Sequence, residues 1–106
     1  ILGIAFKENI DDFRNSKVVD LYKYFLSNNF KINISDPYVN ELQIKKMYNI
    51  NLLKFNEKII SDYNVIIIAV GHEKFKKINY KKLLQKDTKV FDLKKILNNK
   101  IKIEKL

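Results

Sequence analysis

The chain has 106 residues, a formal net charge of +9 and no cysteine, and its size suits one compact domain with a modest core. The missing cysteines and the single histidine, His72, exclude disulfides, a thiolate nucleophile and metal sites built from thiolates or several imidazoles. Of the 21 basic residues only Arg14 is arginine, and because readers of bases and phosphates favour arginine, the charge alone is weak evidence for nucleic-acid binding.

The start of the sequence predicts a strand followed by a helix. Residues 1–6 form a continuous apolar run, the pattern of a strand that is covered on both faces. The Asn-Ser pair at 15–16 offers a helix N-cap, and apolar residues follow it at helical spacing. We expect this helix to end at the two asparagines 28–29, because asparagine tolerates the left-handed conformation of a helix end.

A second strand and helix follow. Residues 31–35 predict a strand, and the Asp-Pro pair at 36–37 ends it because proline cannot continue a sheet interior. A helix is expected from about residue 39 to residue 48. A short extended piece over 51–55 and a short helix over 56–62 complete the first half of the chain.

The second half carries the strongest strand signal. Residues 64–70 are almost all apolar and mostly β-branched, as in the centre of a parallel sheet, and Gly71 ends the run. Asn79 is the expected cap of a helix over 80–85, and residues 89–93 predict a further strand. Weaker patterns predict a helical turn at 96–97 and an edge strand at 101–106.

Alternating strands and helices favour an α/β fold with a doubly wound parallel sheet and right-handed crossovers, here a single three-layer domain. Ligands of such sheets bind at the carboxyl ends of the strands, where loops and helix N-termini converge. The residues that directly follow the predicted strands are Lys7, Asp36, Gly71, His72 and Asp92 to Lys94. Lysines and backbone amides at one rim suit an anionic ligand such as a phosphate.

Each candidate has a simpler interpretation. Lys7 and Lys94 are either ligand contacts or solvated lysines after a strand. Arg14 is retained either for its bidentate geometry or for an ion pair with an aspartate at 11 or 12. His72 is either a ligand contact or a structural residue. The two glycines, at positions 3 and 71, exclude a dinucleotide-binding fingerprint.

Four blocks of the sequence carry a family resemblance. Residues 3–16 match G-x-x-F-K-x-x-x-x-D-x-R-x-S, and they are followed in order by S-D-P at 35–37, A-V-G-H-E-K-F at 69–75 and V-F-D-L-K at 90–94. This set resembles the C-terminal domain of the UDP-glucose/GDP-mannose dehydrogenase family. The K-E-N, R-N-S-K and A-V-x-H variants are most similar to its UDP-N-acetylhexosamine branch.

The resemblance implies a Rossmann-like domain that binds a nucleotide sugar. It belongs to an NAD-dependent enzyme that oxidises the sugar C6 alcohol to a uronic acid for surface polysaccharide synthesis. Phe6 and Lys7 are then expected to contact the UDP-sugar, and Arg14 to approach NAD on the other domain. Lys94 stands where several relatives carry an arginine that reaches the substrate.

Residues 1–106 are accordingly expected to be one domain of a longer, cytoplasmic enzyme. The family's catalytic cysteine, its N-terminal NAD-binding domain and its dimerisation helix are not in this chain, so we expect it to hold no catalytic residue or metal and to be inactive alone. The implied partners are the UDP-sugar, the N-terminal domain and a second subunit, with no nucleic acid or membrane. Two alternatives stay open: a polyanion- or nucleic-acid-binding module, and a structural homodimer module.

Overall fold

The computed structural model of the protein describes residues 1–5, 7, 9–14 and 16–97. Within them, helices and strands follow one another along the chain. The elements are α1 (Val18–Ser27), α2 (Glu41–Tyr48), α3 (Glu57–Ile60), β1 (Val65–Ile68), α4 (Glu73–Lys76), α5 (Tyr80–Gln85) and β2 (Lys89–Asp92). The predicted edge strand at 101–106 lies outside the described residues, as does half of the predicted N-cap, Asn15.

The two strands confirm the strongest predictions, with shorter bounds. β1 and β2 pair in parallel, with a register that runs from Val65 opposite Lys89 to Ile68 opposite Asp92. Alternate side chains of β1 are buried, because side chains of a strand point to opposite faces in turn. The connection between two parallel strands has to cross over the sheet, and α4 and α5 lie in that connection.

The strands predicted at 1–6 and 31–35 are wrong in extent. In the described residues of these segments, pairing is limited to isolated parallel bridges that join Leu2 to Ser35 and Leu2 to Ile68. Gly3 has a φ of 103°, which interrupts the extended backbone. The backbone N–H groups of the next two residues donate to a side-chain carboxylate and not to a neighbouring strand.

The bridges nevertheless extend the parallel arrangement beyond the two strands. Leu2 lies between Ser35 on one side and the end of β1 on the other, and β2 lies beyond β1. The backbone hydrogen bonds agree, since Gly3 N–H donates to the Ser35 carbonyl at 2.8 Å and Leu2 N–H to the Ile67 carbonyl at 2.7 Å. The molecule is therefore an α/β domain with a small parallel two-stranded sheet, and its extended segments run in the same direction.

α1, α2, α3 and α5 begin close to where the sequence predicts a helix, whereas α4 was not predicted. Ser16 does not cap α1 directly; the cap residue is Lys17, and the Ser16 hydroxyl accepts from Val18 N–H at 3.3 Å. The cap predicted at Asn79 is confirmed, because its side chain accepts from Lys82 N–H. The helical turn predicted at 96–97 is wrong, because neither residue is helical. The backbone N–H of residue 97 donates to the Asp92 carboxylate.

Two buried clusters form the core. One joins β1 and β2 to α3, α4 and α5, and its largest fully buried side chains are Phe75 and Tyr80. The other joins α1 and α2 to the segments around Ile4 and Ile34. Both clusters contain residues of the extended segments, so packing holds these segments in place.

Candidate functional site

The ends of three extended segments meet at the carboxylate of Asp36. Its side chain is fully buried, and its Oδ2 accepts hydrogen bonds from Ile4 N–H at 2.8 Å, Ala5 N–H at 3.0 Å and the His72 ring at 3.0 Å. Oδ1 accepts from Tyr38 N–H at 2.9 Å. One carboxylate thus joins the first segment and the second segment to His72, which lies in the loop after β1. The predicted convergence of Asp36 and His72 at one edge is confirmed.

The electrostatics of Asp36 follow from this arrangement. Burial raises the pKa of the carboxyl group, but the hydrogen bonds from His72 and three backbone amides outweigh burial and leave the pKa below its ordinary value. A carboxylate that accepts several N–H groups is favoured in its charged form. Asp36 is therefore a buried anion whose bonds are all internal, and it is a structural residue of the edge.

His72 uses both of its ring nitrogens. Nε2 lies 3.0 Å from Asp36 Oδ2, and Nδ1 accepts from the backbone N–H of Asn9 at 2.7 Å. Because Nδ1 accepts, the ring hydrogen sits on Nε2. The ring has no exposed surface; it stacks on Tyr38, with centroids 4.3 Å apart, and contacts Phe75. Of the two interpretations of His72, the structure supports the structural one.

Lys7 lies at the surface between two of these anchors. Ala5, two residues before it, donates to Asp36, and Asn9, two residues after it, donates to His72. Its side chain is exposed. The structure therefore presents Lys7 at the strand-end edge, between two anchored residues, Ala5 and Asn9. Phe6, the other residue expected in this segment, lies outside the described residues.

The ends of β1 and β2 contribute Gly71 and Lys94. A Cβ atom built on Gly71 would lie 3.8 Å from the Cβ of Lys94 and 3.0 Å from a methyl of Ile96, so these residues are neighbours. Asp92 Oδ2 accepts from Leu97 N–H at 2.9 Å. Its Oδ1 is buried and has no hydrogen-bond partner among the described residues. Lys94 is exposed beside a buried glycine backbone.

Arg14 forms a local ion pair with Asp12. Its Nε and Nη2 donate to the two carboxylate oxygens of Asp12, each at 3.1 Å, and these hydrogen bonds lower the pKa of Asp12. The pairing alternative for Arg14 is thus confirmed, with position 12 as its partner. Its side chain is 74% exposed despite this ion pair.

The sequence analysis missed Asn9. This residue has a φ of 60°, its N–H donates to His72, and its Oδ1 accepts from Glu73 N–H at 2.9 Å. Asparagine is one of the few side chains that tolerate a positive φ. An asparagine inside a loop that is long for a strand-helix connection was the available signal, but its partner lies 63 positions away along the chain.

Two other features lie elsewhere or are not found. A groove of about 400 Å³ is lined mainly by apolar residues, among them Phe25, Val65 and Phe91. Lys7, Asp36, His72 and Lys94 are not part of its lining. The described residues contain no cluster of three or more acidic, imidazole or thiol side chains that could hold a metal ion. In the same residues, no helix has the length and apolar character needed to cross a bilayer.

In this α/β domain, a cation, a glycine backbone and a closed polar network lie at the carboxyl edge of the parallel segments. Domains that bind nucleotides have these features. Comparison with known families identifies the chain more closely. The model of the UDP-glucose/GDP-mannose dehydrogenase family, UDP binding domain, matches residues 1–99. The chain belongs to this family, which confirms the resemblance seen in the sequence.

Individual relatives agree with the family match. The chain is 37% identical to a UDP-N-acetyl-D-glucosamine 6-dehydrogenase of Salmonella typhi over 92% of this chain and 23% of the relative. It is 33% identical to the Pseudomonas aeruginosa protein of the same name, over 92% and 24%. A UDP-glucose 6-dehydrogenase of Rickettsia prowazekii is 29% identical over 95% and 24%. The chain thus spans about a quarter of the length of these curated relatives.

Proposed function

We propose that the chain is the UDP-sugar-binding domain of an NAD-dependent UDP-sugar 6-dehydrogenase, and that the strand-end edge holds the nucleotide diphosphate. The observation that carries the proposal is the exposed Lys7 on a segment anchored at both sides by buried hydrogen bonds. Anchored residues on either side of a cation reduce the backbone freedom that is lost when it binds an anion. Membership of the family supports the nucleotide as the ligand.

The site residues take the roles that the family resemblance implies. Lys7 and Phe6 contact the UDP-sugar, and Lys94 supplies a second cation at the end of β2, next to the Gly71 backbone. Lysine cannot reproduce the two-pronged hydrogen bonding of an arginine at this position. We therefore expect Lys94 to act as a single charge toward the substrate.

The fold proposed for the complete domain is a Rossmann-like, doubly wound sheet in three layers. The parallel bridges at Leu2 support it, because they place the first segment between the second segment and β1. The second segment thus lies on one side of the first segment, and β1, which comes later in the chain, lies on its other side. Open α/β sheets bind ligands at such a switch point of the strand order. The proposed nucleotide site then lies where Lys7 is found.

The NAD cofactor is proposed to bind mainly to an N-terminal domain outside this chain. The residues present do not fit a dinucleotide cradle: a Cβ built on Gly3 would lie 2.5 Å from the Cβ of Val70, so this glycine serves close packing of the protein and leaves no room for a pyrophosphate. Hydride transfer belongs to the longer protein, together with the catalytic cysteine that the family resemblance implies. We place that protein in the cytoplasm and expect it to be a homodimer.

Replacement of Lys7 tests the substrate site. In the full-length protein that contains this chain, Lys7→Ala should raise the KM for the UDP-sugar by roughly 10- to 100-fold, the loss expected for one charged hydrogen bond. Exposed Lys54 provides the matched control, and Lys54→Ala should leave the KM unchanged. An unaltered KM in Lys7→Ala removes Lys7 from the site.

Replacement of Arg14 tests the cofactor side. Arg14→Ala should raise the KM for NAD and leave the KM for the UDP-sugar near its original value, because Arg14 is proposed to approach NAD and not the UDP-sugar. Asp12→Asn is the control for the ion pair, since it frees Arg14 but keeps its charge. Unchanged NAD kinetics in Arg14→Ala would count against the proposed role.

The nucleic-acid alternative is tested by the same protein. Random duplex DNA and UDP are titrated at two salt concentrations, because binding through phosphate contacts weakens steeply with salt. We expect UDP binding that the Lys7 variant loses. Strongly salt-dependent DNA binding without UDP binding would support the alternative, for which neither the family match nor the strand-end edge gives a reason.

A further inference from the structure

We propose that His72 is a positioning residue for nucleotide binding, because its ring fixes the Lys7 segment from both sides. The inference rests on the proposed function in one respect, namely that Lys7 contacts the nucleotide. His72 touches no ligand in this scheme, since its ring has no exposed surface. It acts through the backbone that carries Lys7.

The first anchor lies before Lys7. His72 Nε2 donates to the Asp36 carboxylate, and the same Oδ2 atom receives the N–H groups of Ile4 and Ala5. The ring thereby orients the carboxylate that turns the chain out of the first extended segment. Movement of this carboxylate would release two backbone amides at once.

The second anchor lies after Lys7. His72 Nδ1 accepts from Asn9 N–H at 2.7 Å, and Asn9 Oδ1 accepts from Glu73 N–H, so the loop is also tied to the residue that begins α4. The described residues two positions before and after Lys7, Ala5 and Asn9, are therefore both held by one clamp, formed by His72 and its neighbour Asp36. A shift of either residue has to break one of these hydrogen bonds.

The ring itself cannot turn freely. Tyr38 stacks on it at a centroid distance of 4.3 Å with an angle of 30° between the planes, and Phe75 packs at 5.2 Å. Close packing of this kind fixes a side-chain orientation. The direction of the two hydrogen bonds is consequently fixed as well, with a donor toward Asp36 and an acceptor toward Asn9.

This polarity allows the two anchors to be separated by substitution. An asparagine side chain places its oxygen near the position of Nδ1, so His72→Asn keeps an acceptor for Asn9 and loses the donor to Asp36. A glutamine side chain reaches the position of Nε2, so His72→Gln keeps the donor to Asp36 and loses the acceptor for Asn9. Both variants remove the same aromatic packing against Tyr38 and Phe75.

Steady-state kinetics of the full-length protein give the first test. His72→Gln should raise the KM for the UDP-sugar by about tenfold, the scale of one lost hydrogen bond, while kcat and the KM for NAD stay within about twofold. His72→Asn should raise the KM by less than about threefold on the same scale, because Asp36 still accepts from three backbone N–H groups when the imidazole donor is lost. Thr88→Val is the control, because it removes a hydrogen bond to the Tyr63 carbonyl at the opposite end of β2 and should not change the KM.

Equal KM values for His72→Gln and His72→Asn would overturn the inference, since a purely structural role lowers stability without distinguishing the two nitrogens. A second measurement needs no substitution and no activity. In the ¹⁵N-labelled protein, the Asn9 amide should exchange slowly and show scalar coupling across the hydrogen bond to His72 Nδ1. If the Asn9 amide exchanges rapidly and shows no coupling, the inference about His72 is overturned, even if the protein binds UDP. If the coupling is present but the protein does not bind UDP, the proposed function is overturned instead.

Discussion

At the scale of single residues, the site is organised by a buried anion that binds nothing outside the protein. The Asp36 carboxylate accepts from three backbone amides and one imidazole, and each donor comes from a segment end or a turn. A buried charge is tolerated only when its hydrogen bonds are made. The same bonds that satisfy the charge therefore hold the loop backbone that displays Lys7.

Asp36→Asn should destabilise the protein by about 1.5–3 kcal/mol, because an amide cannot accept from four donors and its NH₂ group faces N–H groups. The pKa of Asp36 is lowered by folding. The charged carboxyl group thus contributes stability above the unfolded-state pKa of about 3.9, and this contribution is lost as the pH falls through the lower folded-state value.

Urea denaturation from pH 7 to pH 2 checks this prediction. The stability difference between the original protein and Asp36→Asn should narrow below about pH 4. Exposed Asp62 provides the control, and Asp62→Asn should follow the curve of the original protein. A stability difference that does not depend on pH would contradict the role of the charge.

The residues at the edge could be predicted only in part. Lys7, Asp36, His72 and Lys94 were expected at one rim because each follows a predicted strand. The clamp could not be predicted, since it needs the positive φ of Asn9 and a partner 63 positions away. Hydrophobic periodicity reports which residues are buried and carries no information on such polar contacts.

At the scale of helices and strands, asparagine occupies the helix caps, where serine, aspartate and glycine are also common. Its side chain caps α2, α3 and α5 by accepting a backbone N–H, and Asn49 ends α2 in the left-handed conformation with a φ of 57°. The chain has 13 asparagines and two glycines. The asparagine content therefore has structural uses.

Asn40→Ala should lower stability by about 1 kcal/mol, the usual cost of a lost N-cap. The reason is that Asn40 Oδ1 accepts from Gln43 N–H at 3.1 Å at the start of α2. Asn51→Ala, at an exposed position beyond the end of the same helix, is the matched control and should change stability by less than about 0.5 kcal/mol. Equal effects of the two substitutions in urea denaturation would show that the cap does not stabilise α2.

The extent of the first two strands was mispredicted for a definite physical reason. An apolar run reports burial on both faces, and residues 1–5 are indeed mostly buried. Burial does not require a ladder, however, and the amides of Ile4 and Ala5 donate to Asp36. The helices were predicted more closely, because caps and periodicity are local signals.

At the scale of the whole molecule, the first extended segment and the end of β1 pack in close contact. Gly3 faces Val70, where the first segment passes the end of β1, and a Cβ on Gly3 would lie 2.5 Å from the Val70 Cβ and 3.1 Å from its backbone nitrogen. The alternation of strands and helices predicted an α/β fold, which the structure confirms. The sequence could not show how closely these two segments approach.

Gly3→Ala should therefore destabilise the protein by about 2–4 kcal/mol, through a positive φ and a collision that only backbone movement relieves. Gly71→Ala is the matched comparison, since its Cβ would meet a methyl of Ile96 at 3.0 Å, and a side-chain end can move. Thermal denaturation should show a clearly larger loss for Gly3→Ala. A smaller loss for Gly3→Ala than for Gly71→Ala would contradict the packing argument.

The clamp around Lys7 also bears on the order in which the protein folds. Its hydrogen bonds join residues 31 to 64 positions apart, and contacts of such separation carry a large loop-closure cost that must be met before they form. Lys7 is synthesised before residue 72, but its binding conformation depends on residue 72 and on the packing that buries it. We expect the ability to bind nucleotide to appear late in refolding, after the helices have formed, so a nascent chain that ends before β1 should be unable to bind nucleotide.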